Sequence, residues 1–243
     1  MYTIPMSNDQ ILHSFSNEAA LPRAWAYYLK TCGLPEKPES PKQRRMLERS
    51  EAVLSECLPM VNIRALTRRF GAEGLAGGAL SLGPATFHCP AFGRLERDSV
   101  LSIYAYVLSA GEVALETENV SDQLFADIWG TSFTDAGIDL LEAEIARENP
   151  GAVISSSFGP GFFGMDISML AEFFNILSPK DIGVSIRSNC LLLPLKSSAG
   201  FFFAVRDEWM LPTRDCESCH GGHDRPGNAG GCLFCANYQK PPR

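Results

Sequence analysis

Apolar residues recur at helical spacing through the first part of the chain. The pattern predicts helix over residues 1–35, ending at Gly33-Leu34-Pro35, where glycine and proline halt a helix. A polar, proline-rich connector runs from Glu36 to Pro41. Helical spacing resumes from Lys42 to Phe70, with Leu47, Leu54 and Leu58 in register until Pro59. Arg44, Arg45 and Arg49 alternate there with Glu48, Glu51 and Glu56, so the segment reads as a solvated helix face and not as a basic patch. Glycine-rich turns occupy 71–83. Val100 to Leu108 is a β-branched and aromatic run between turns, which predicts a buried strand. Ser121 caps a helix through Leu124, Phe125, Ile128 and Trp129. A second helix, Thr134 to Arg147, carries Ile138, Leu141 and Ile145 on one face and stops before Pro150-Gly151.

The most patterned stretch lies between 153 and 205. Val153 and Ile154 read as a short strand, followed by a glycine-rich turn from Ser157 to Gly164. Asp166 suits a helix N-cap, because its carboxylate accepts from the free N–H groups of the first turn. Ile167, Leu170, Phe174 and Leu177 form the apolar stripe of that helix, and Ser178-Pro179 ends it. Ile182 to Pro194 and Phe201 to Val205 read as a hairpin of buried strands joined by the polar turn Lys196 to Gly200. Gly159-Pro160-Gly161 is by itself an ordinary strand-to-helix connector, where glycine permits positive φ and close backbone approach.

Composition narrows the functional classes. The chain has 243 residues, 45% of them hydrophobic, enough for one domain with an appendage. Its formal net charge of −7 makes it a poor grip for phosphate backbones, so nucleic acid is not expected as a partner. Met1 to Ala20 has no basic start followed by an apolar core, and no run approaches a membrane span; the reading is cytoplasmic. Eight cysteines in a reducing compartment are thiols or metal ligands. Cys57 and Cys190, in apolar surroundings, read as small core residues. Neither a Ser/His/Asp arrangement nor a phosphate-binding loop is present.

Past Pro212 the apolar pattern stops, and Cys216, Cys219, Cys232 and Cys235 stand as C-x2-C-x12-C-x2-C. Each C-x2-C pair sets two thiolates at one turn. Two pairs complete a tetrahedral sulfur set suited to zinc or to a [4Fe-4S] cluster, and spacing does not choose between them. His220 and His223 read as loop residues of the same glycine-rich stretch.

Three motifs in order carry a family likeness: Gly159-Pro160-Gly161-Phe162 before a helix, the strand from Ile182 to Pro194, and Lys196-Ser-Ser-Ala-Gly200. Together they resemble the reactivation domain of cobalamin-dependent methionine synthase and its stand-alone bacterial relatives, over roughly residues 95–205. The resemblance implies an α+β fold, a curved antiparallel sheet flanked by helices, with a shallow groove for S-adenosylmethionine (AdoMet) that presents a methyl group to cobalamin. It implies that Gly159, Pro160, Gly161, Phe162, Arg187, Ser188 and Lys196 face the groove. It also exposes departures. Where the family has arginine, tyrosine and glutamate at the site, this chain has Ser157, Phe162 and Ser188, so the guanidinium, the phenol hydroxyl and one carboxylate are gone. Arg187 and Lys196 are the nearest cations in sequence to replace the guanidinium.

The expected organisation is a helical N-terminal region over 1–80, an activation-like domain over 81–212 and a metal-binding tail over 213–243. The expected function is reductive reactivation of a corrinoid methyltransferase or corrinoid protein, by electron delivery and AdoMet-linked methylation. The alternative is a non-catalytic binding module with a vestigial groove and a structural zinc knuckle. Cobalamin would sit on the partner, since no cobalamin-binding domain fits in this chain.

Overall fold

The structure, a computed structural model, describes residues 2–5, 9–162 and 164–206. Strands β1 (Tyr2–Pro5) and β2 (Gln10–Phe15) lead into helices α1 (Asn17–Cys32) and α2 (Pro41–Cys57). β3 (Ile63–Phe70) is followed by the short strands β4 (Leu75–Ala76), β5 (Ala79–Leu82) and β6 (Ala85–His88). β7 (Val100–Ser109) precedes the long helix α3 (Val120–Glu148) and the short β8 (Val153–Ile154). Helix α4 (Leu170–Ile176), strands β9 (Ser185–Ile186) and β10 (Leu192–Leu193), and finally β11 (Ser197–Val205) complete the described chain.

Six strands pair antiparallel in the order β1-β2-β3-β7-β11-β8, and the sheet is strongly curled. With helices flanking it, the fold is α+β. Both faces of the central strands are buried. Ile103, Ala105 and Val107 of β7 pack with Phe201, Phe203 and Val205 of β11 beneath β4–β6 and α4. Tyr104, Tyr106 and Leu108 pack with Phe202 beneath α1, α2 and α3. Residues of both parities are therefore apolar, and β7 reads in sequence as one continuous hydrophobic run.

The helix ends follow local rules. Ser16 caps α1 by accepting from Ala19 N–H, and Gly33 closes it at φ +61, returning its N–H to Leu29 and Lys30 carbonyls. Ser40 and Gln43 form a reciprocal capping box on α2, with Pro41 in the first turn.

Three expectations change. Residues 2–5, 10–15 and 63–70 are strands, not helix; α2 ends at Cys57, ahead of Pro59. In β3 two polar residues bond to the segments packed over the sheet: Arg64 and Arg68 donate to the carbonyls of Ile182 and Ile176. The two predicted helices between 121 and 147 are one, because Ser132 and Thr134 return their hydroxyls to the Ile128 and Gly130 carbonyls and so fit inside a helix. The segment Lys196 to Gly200 is not a turn. β10 pairs with β9, and β11 begins at Ser197 opposite Ser109. Its serines are polar for a strand because hydroxyl partners await them: Ser197 donates to Ser109 at 3.0 Å.

Two more readings change: Ser121 lies inside α3, which Asn119 caps, and Ile182 to Pro194 is not one buried strand but the end of a 3-10 turn followed by the two-residue strands β9 and β10. Other local readings hold. Val100–Ser109 and Val153–Ile154 are strands, and Asp166 accepts from Ser168 N–H at 2.8 Å. The stripe expected as Ile167, Leu170, Phe174 and Leu177 is corrected: the buried face of α4 is Leu170, Phe173 and Ile176 with Leu177 at its end, Phe174 is only partly buried, and Ile167, in the 3-10 turn before the helix, is exposed. Cys57 is buried; Cys190 is half-buried, at φ +62 in the turn between β9 and β10.

Candidate functional site

The groove begins where a chain segment leaves the sheet. After β8, the backbone stays against β11: Ser155 N–H donates to Phe203 O at 2.9 Å, and Phe158 and Phe201 exchange both backbone bonds at 2.7 and 3.0 Å. At Gly159 the chain departs. A Cβ there would lie 2.5 Å from the Ala199 carbonyl oxygen, a separation no side chain tolerates. Gly161 follows at φ +88, the left-handed region that glycine enters freely. The departure uncovers the edge of β11 at its start. Backbone groups alternate direction along an antiparallel strand, so Ala199, two residues from Phe201, turns its N–H and C=O to the uncovered side.

The result is a groove of about 290 Å³, close to the lower end of small-molecule sites at roughly 300–1,000 Å³. Its polar side chains are Asp135 from α3, Ser157 beside the turn, and Ser197 and Ser198 from β11. Tyr106, fully buried beneath, shares a 2.5 Å hydrogen bond with the Ser157 hydroxyl and lies 3.5 Å from that of Ser198. Burial raises the Tyr106 phenol above its ordinary range, so it remains a neutral hydrogen-bonding group. The rim is apolar and open: Phe162 is 43% exposed, Ile167 50%, Leu191 39% and Leu195 57%. Large apolar side chains left in water at one mouth favour a ligand or partner that covers them.

Asp135 is the charged side chain of the lining. Burial first, and then the negative charge of Asp139, push its carboxyl up to about 6 against the pull of Lys30. It is therefore ionised at neutral pH yet poorly solvated, a state that favours a cation. Asp139 and Glu142 continue the same helix face. Tyr27 donates to Asp139 at 3.0 Å, and burial, with Asp139 behind it, raises Glu142 to about 7.

Of the residues expected at the groove, Gly159, Pro160 and Phe162 line it, and Gly161 shapes the turn between them. Arg187 and Ser188 do not line it; they are exposed in the turn between β9 and β10, whose following residues Leu191 and Leu192 do. Lys196 is directed elsewhere. Its ammonium meets Asp127 at 2.6 Å and the Thr131 hydroxyl at 3.0 Å, and its stem lies over Gly130, where a Cβ would come within 2.9 Å of it. Sequence reading missed Asp135, Ser198, Tyr106 and the rim leucines. The available signal was Asp135 itself, a carboxylate among Phe133, Ala136 and Gly137 in the buried middle of a helix.

Cys216, Cys219, Cys232 and Cys235 lie outside the described residues. Among the described residues no group of three or more His, Cys, Asp or Glu is placed to hold a metal ion, and no helix is long and apolar enough to cross a membrane.

The curled antiparallel sheet, its helical layer and the groove at a sheet edge define an α+β fold with a ligand-sized cleft. Among solved structures the chain is similar to the MetH reactivation domain bound to AdoHcy, at a TM-score of 0.56 and 14% identity, covering 85% of this chain and 82% of that one. At that identity the likeness is one of fold. No protein-family model matches the chain, and no curated protein matches it.

Proposed function

We propose that the protein assists reactivation of a corrinoid methyltransferase or corrinoid protein, with the groove holding an AdoMet-type ligand. The observation that supports this reading is a groove built on the Gly159–Phe162 turn, in a fold shared with a domain solved with AdoHcy. The residues present fit the cationic and apolar parts of such a ligand. Asp135 offers a carboxylate to an amino or sulfonium group, Ser198 and the Ala199 backbone offer hydrogen bonds, and Phe162 with the rim leucines covers a flat body. The open mouth leaves the ligand accessible to a second protein. The partner's corrinoid would supply the cobalt centre that takes the methyl group, after reduction by one electron. The four cysteines would bind zinc or a [4Fe-4S] cluster, and only the cluster could deliver that electron.

The test is anaerobic purification of the full chain with iron, sulfide and zinc analysis, followed by reactivation of an inactive corrinoid protein with AdoMet. A brown, dithionite-bleached protein that restores methylated corrinoid supports the proposal. A colourless protein with one zinc per chain and no reactivation supports the second reading, a non-catalytic binding module. That reading is favoured by one observation: among the described residues the groove lining carries no basic side chain for an AdoMet carboxylate.

Asp135 also sets a pH dependence. Only its ionised form attracts a cation, and its carboxyl titrates at about 6. Affinity for a cationic ligand is expected to be about tenfold weaker at pH 5 than at pH 7, because protonation competes with binding. Calorimetric titration across that range checks it, and a flat profile places the cation away from Asp135.

A further inference from the structure

We infer that the groove selects an organic cation carrying no carboxylate: a sulfonium or ammonium compound with a flat apolar body. The inference rests on reading the groove as an AdoMet-type ligand site and sharpens which member of that class it takes. The charge of the described lining is that of Asp135, and no Lys, Arg or His joins it. Lys30 of α1 attracts Asp135 from outside the lining, and the cations expected at the groove are directed elsewhere. Lys196 is held by Asp127 and Thr131 on the outer side of α3, and Arg187 stands exposed in the turn between β9 and β10. The hydroxyl of Ser157 is engaged with Tyr106, and that of Ser197 with Ser109.

A ligand carboxylate entering this groove would lose solvent, meet no guanidinium or ammonium in the lining, and share a small space with a half-buried aspartate. A ligand amine or sulfonium gains from the same aspartate. The walls otherwise reward apolar contact: Phe162, Ile167, Leu191 and Leu195 present unburied surface at the mouth. The groove thus discriminates by charge sign at one end and by apolar area at the other, and an α-carboxylate is the one group of an amino-acid sulfonium that it disfavours.

The experiment is calorimetric titration of the full chain at pH 7 with four probes: AdoMet, decarboxylated AdoMet, AdoHcy and the neutral 5′-methylthioadenosine. Decarboxylated AdoMet is expected to bind about tenfold or more tighter than AdoMet, and the neutral thioether more weakly than the decarboxylated sulfonium. In Asp135→Asn, a nearly isosteric change whose folding is checked by thermal melting, that preference is expected to collapse to within about threefold. AdoMet binding as tightly as its decarboxylated form overturns the inference and leaves the groove reading intact. A preference that survives in Asp135→Asn also overturns it, since another group would then be the selector. Failure of all four probes overturns the groove reading together with the inference.

Discussion

Replacing Trp129 with alanine is expected to lower the unfolding free energy by about 3–5 kcal/mol, the range for deleting a large buried aromatic side chain. Trp129 is fully buried at the centre of the helical layer. It stacks on Tyr28 of α1 with ring centroids 4.0 Å apart and 12° between planes, and Trp25 lies 5.5 Å away. Its indole N–H donates at 3.1 Å to the Ser50 carbonyl of α2. One side chain of α3 thus ties α1 and α2 together, so truncation leaves a cavity at a three-helix junction that no single neighbour can fill. Trp129→Phe keeps most of the stack and loses the donor, and should cost about 1–3 kcal/mol. Urea denaturation of both variants separates the contributions. A loss below about 1 kcal/mol in Trp129→Ala would show that the junction collapses freely.

How much of this architecture the chain displays in advance depends on how local the controlling physics is. The Asp166 cap on the 3-10 turn that leads into α4 and the glycine stop at Gly33 obey rules that span a few residues, and they are readable. β7 is readable because a ten-residue β-branched and aromatic run has few other uses. β3 is not, because its arginines serve carbonyls from the opposite layer more than a hundred residues away. The same distinction runs through the groove. The Gly159–Phe162 turn shows in the sequence as glycines and proline at a strand-to-helix connection. Asp135 does not, since α3 carries it to the groove from a position where it reads as one more polar residue in a helix. Lys196, in sequence the natural cation for the site, is withdrawn by an aspartate 69 residues earlier. Ser197 and Ser198 looked like turn residues only because a strand edge that faces hydroxyls and a cleft is polar in the same way.

Gly159→Ala is expected to destabilise the protein by about 1–3 kcal/mol, the usual range for forcing an extra carbon into a filled space, and to weaken ligand binding along with it. The obstruction is backbone, not a side chain that could rotate away. The new Cβ would stand 2.5 Å from the Ala199 carbonyl oxygen and 3.2 Å from Gly200 Cα. The contact is closed from the other side as well, where a Cβ on Gly200 would meet the Phe158 carbonyl oxygen at 2.9 Å. β11 cannot retreat, because it pairs with β7 from Ser197 to Val205 and buries Phe201, Phe202 and Phe203 on both faces. The turn must therefore move, and it carries Pro160 and Phe162 out of place at the groove. Gly161→Ala makes the control. Its nearest neighbour would be Ile167 Cδ1 at 3.6 Å, so space is ample and the penalty is only that of φ +88 for a residue with a side chain, about 1–2 kcal/mol. Asparagine, which tolerates the left-handed region better, should recover part of that loss at 161 and none at 159. Thermal melts with parallel ligand titrations on the alanine and asparagine variants at both positions separate strain from displacement: wild-type affinity in Gly159→Ala would mean that the turn does not form the groove wall.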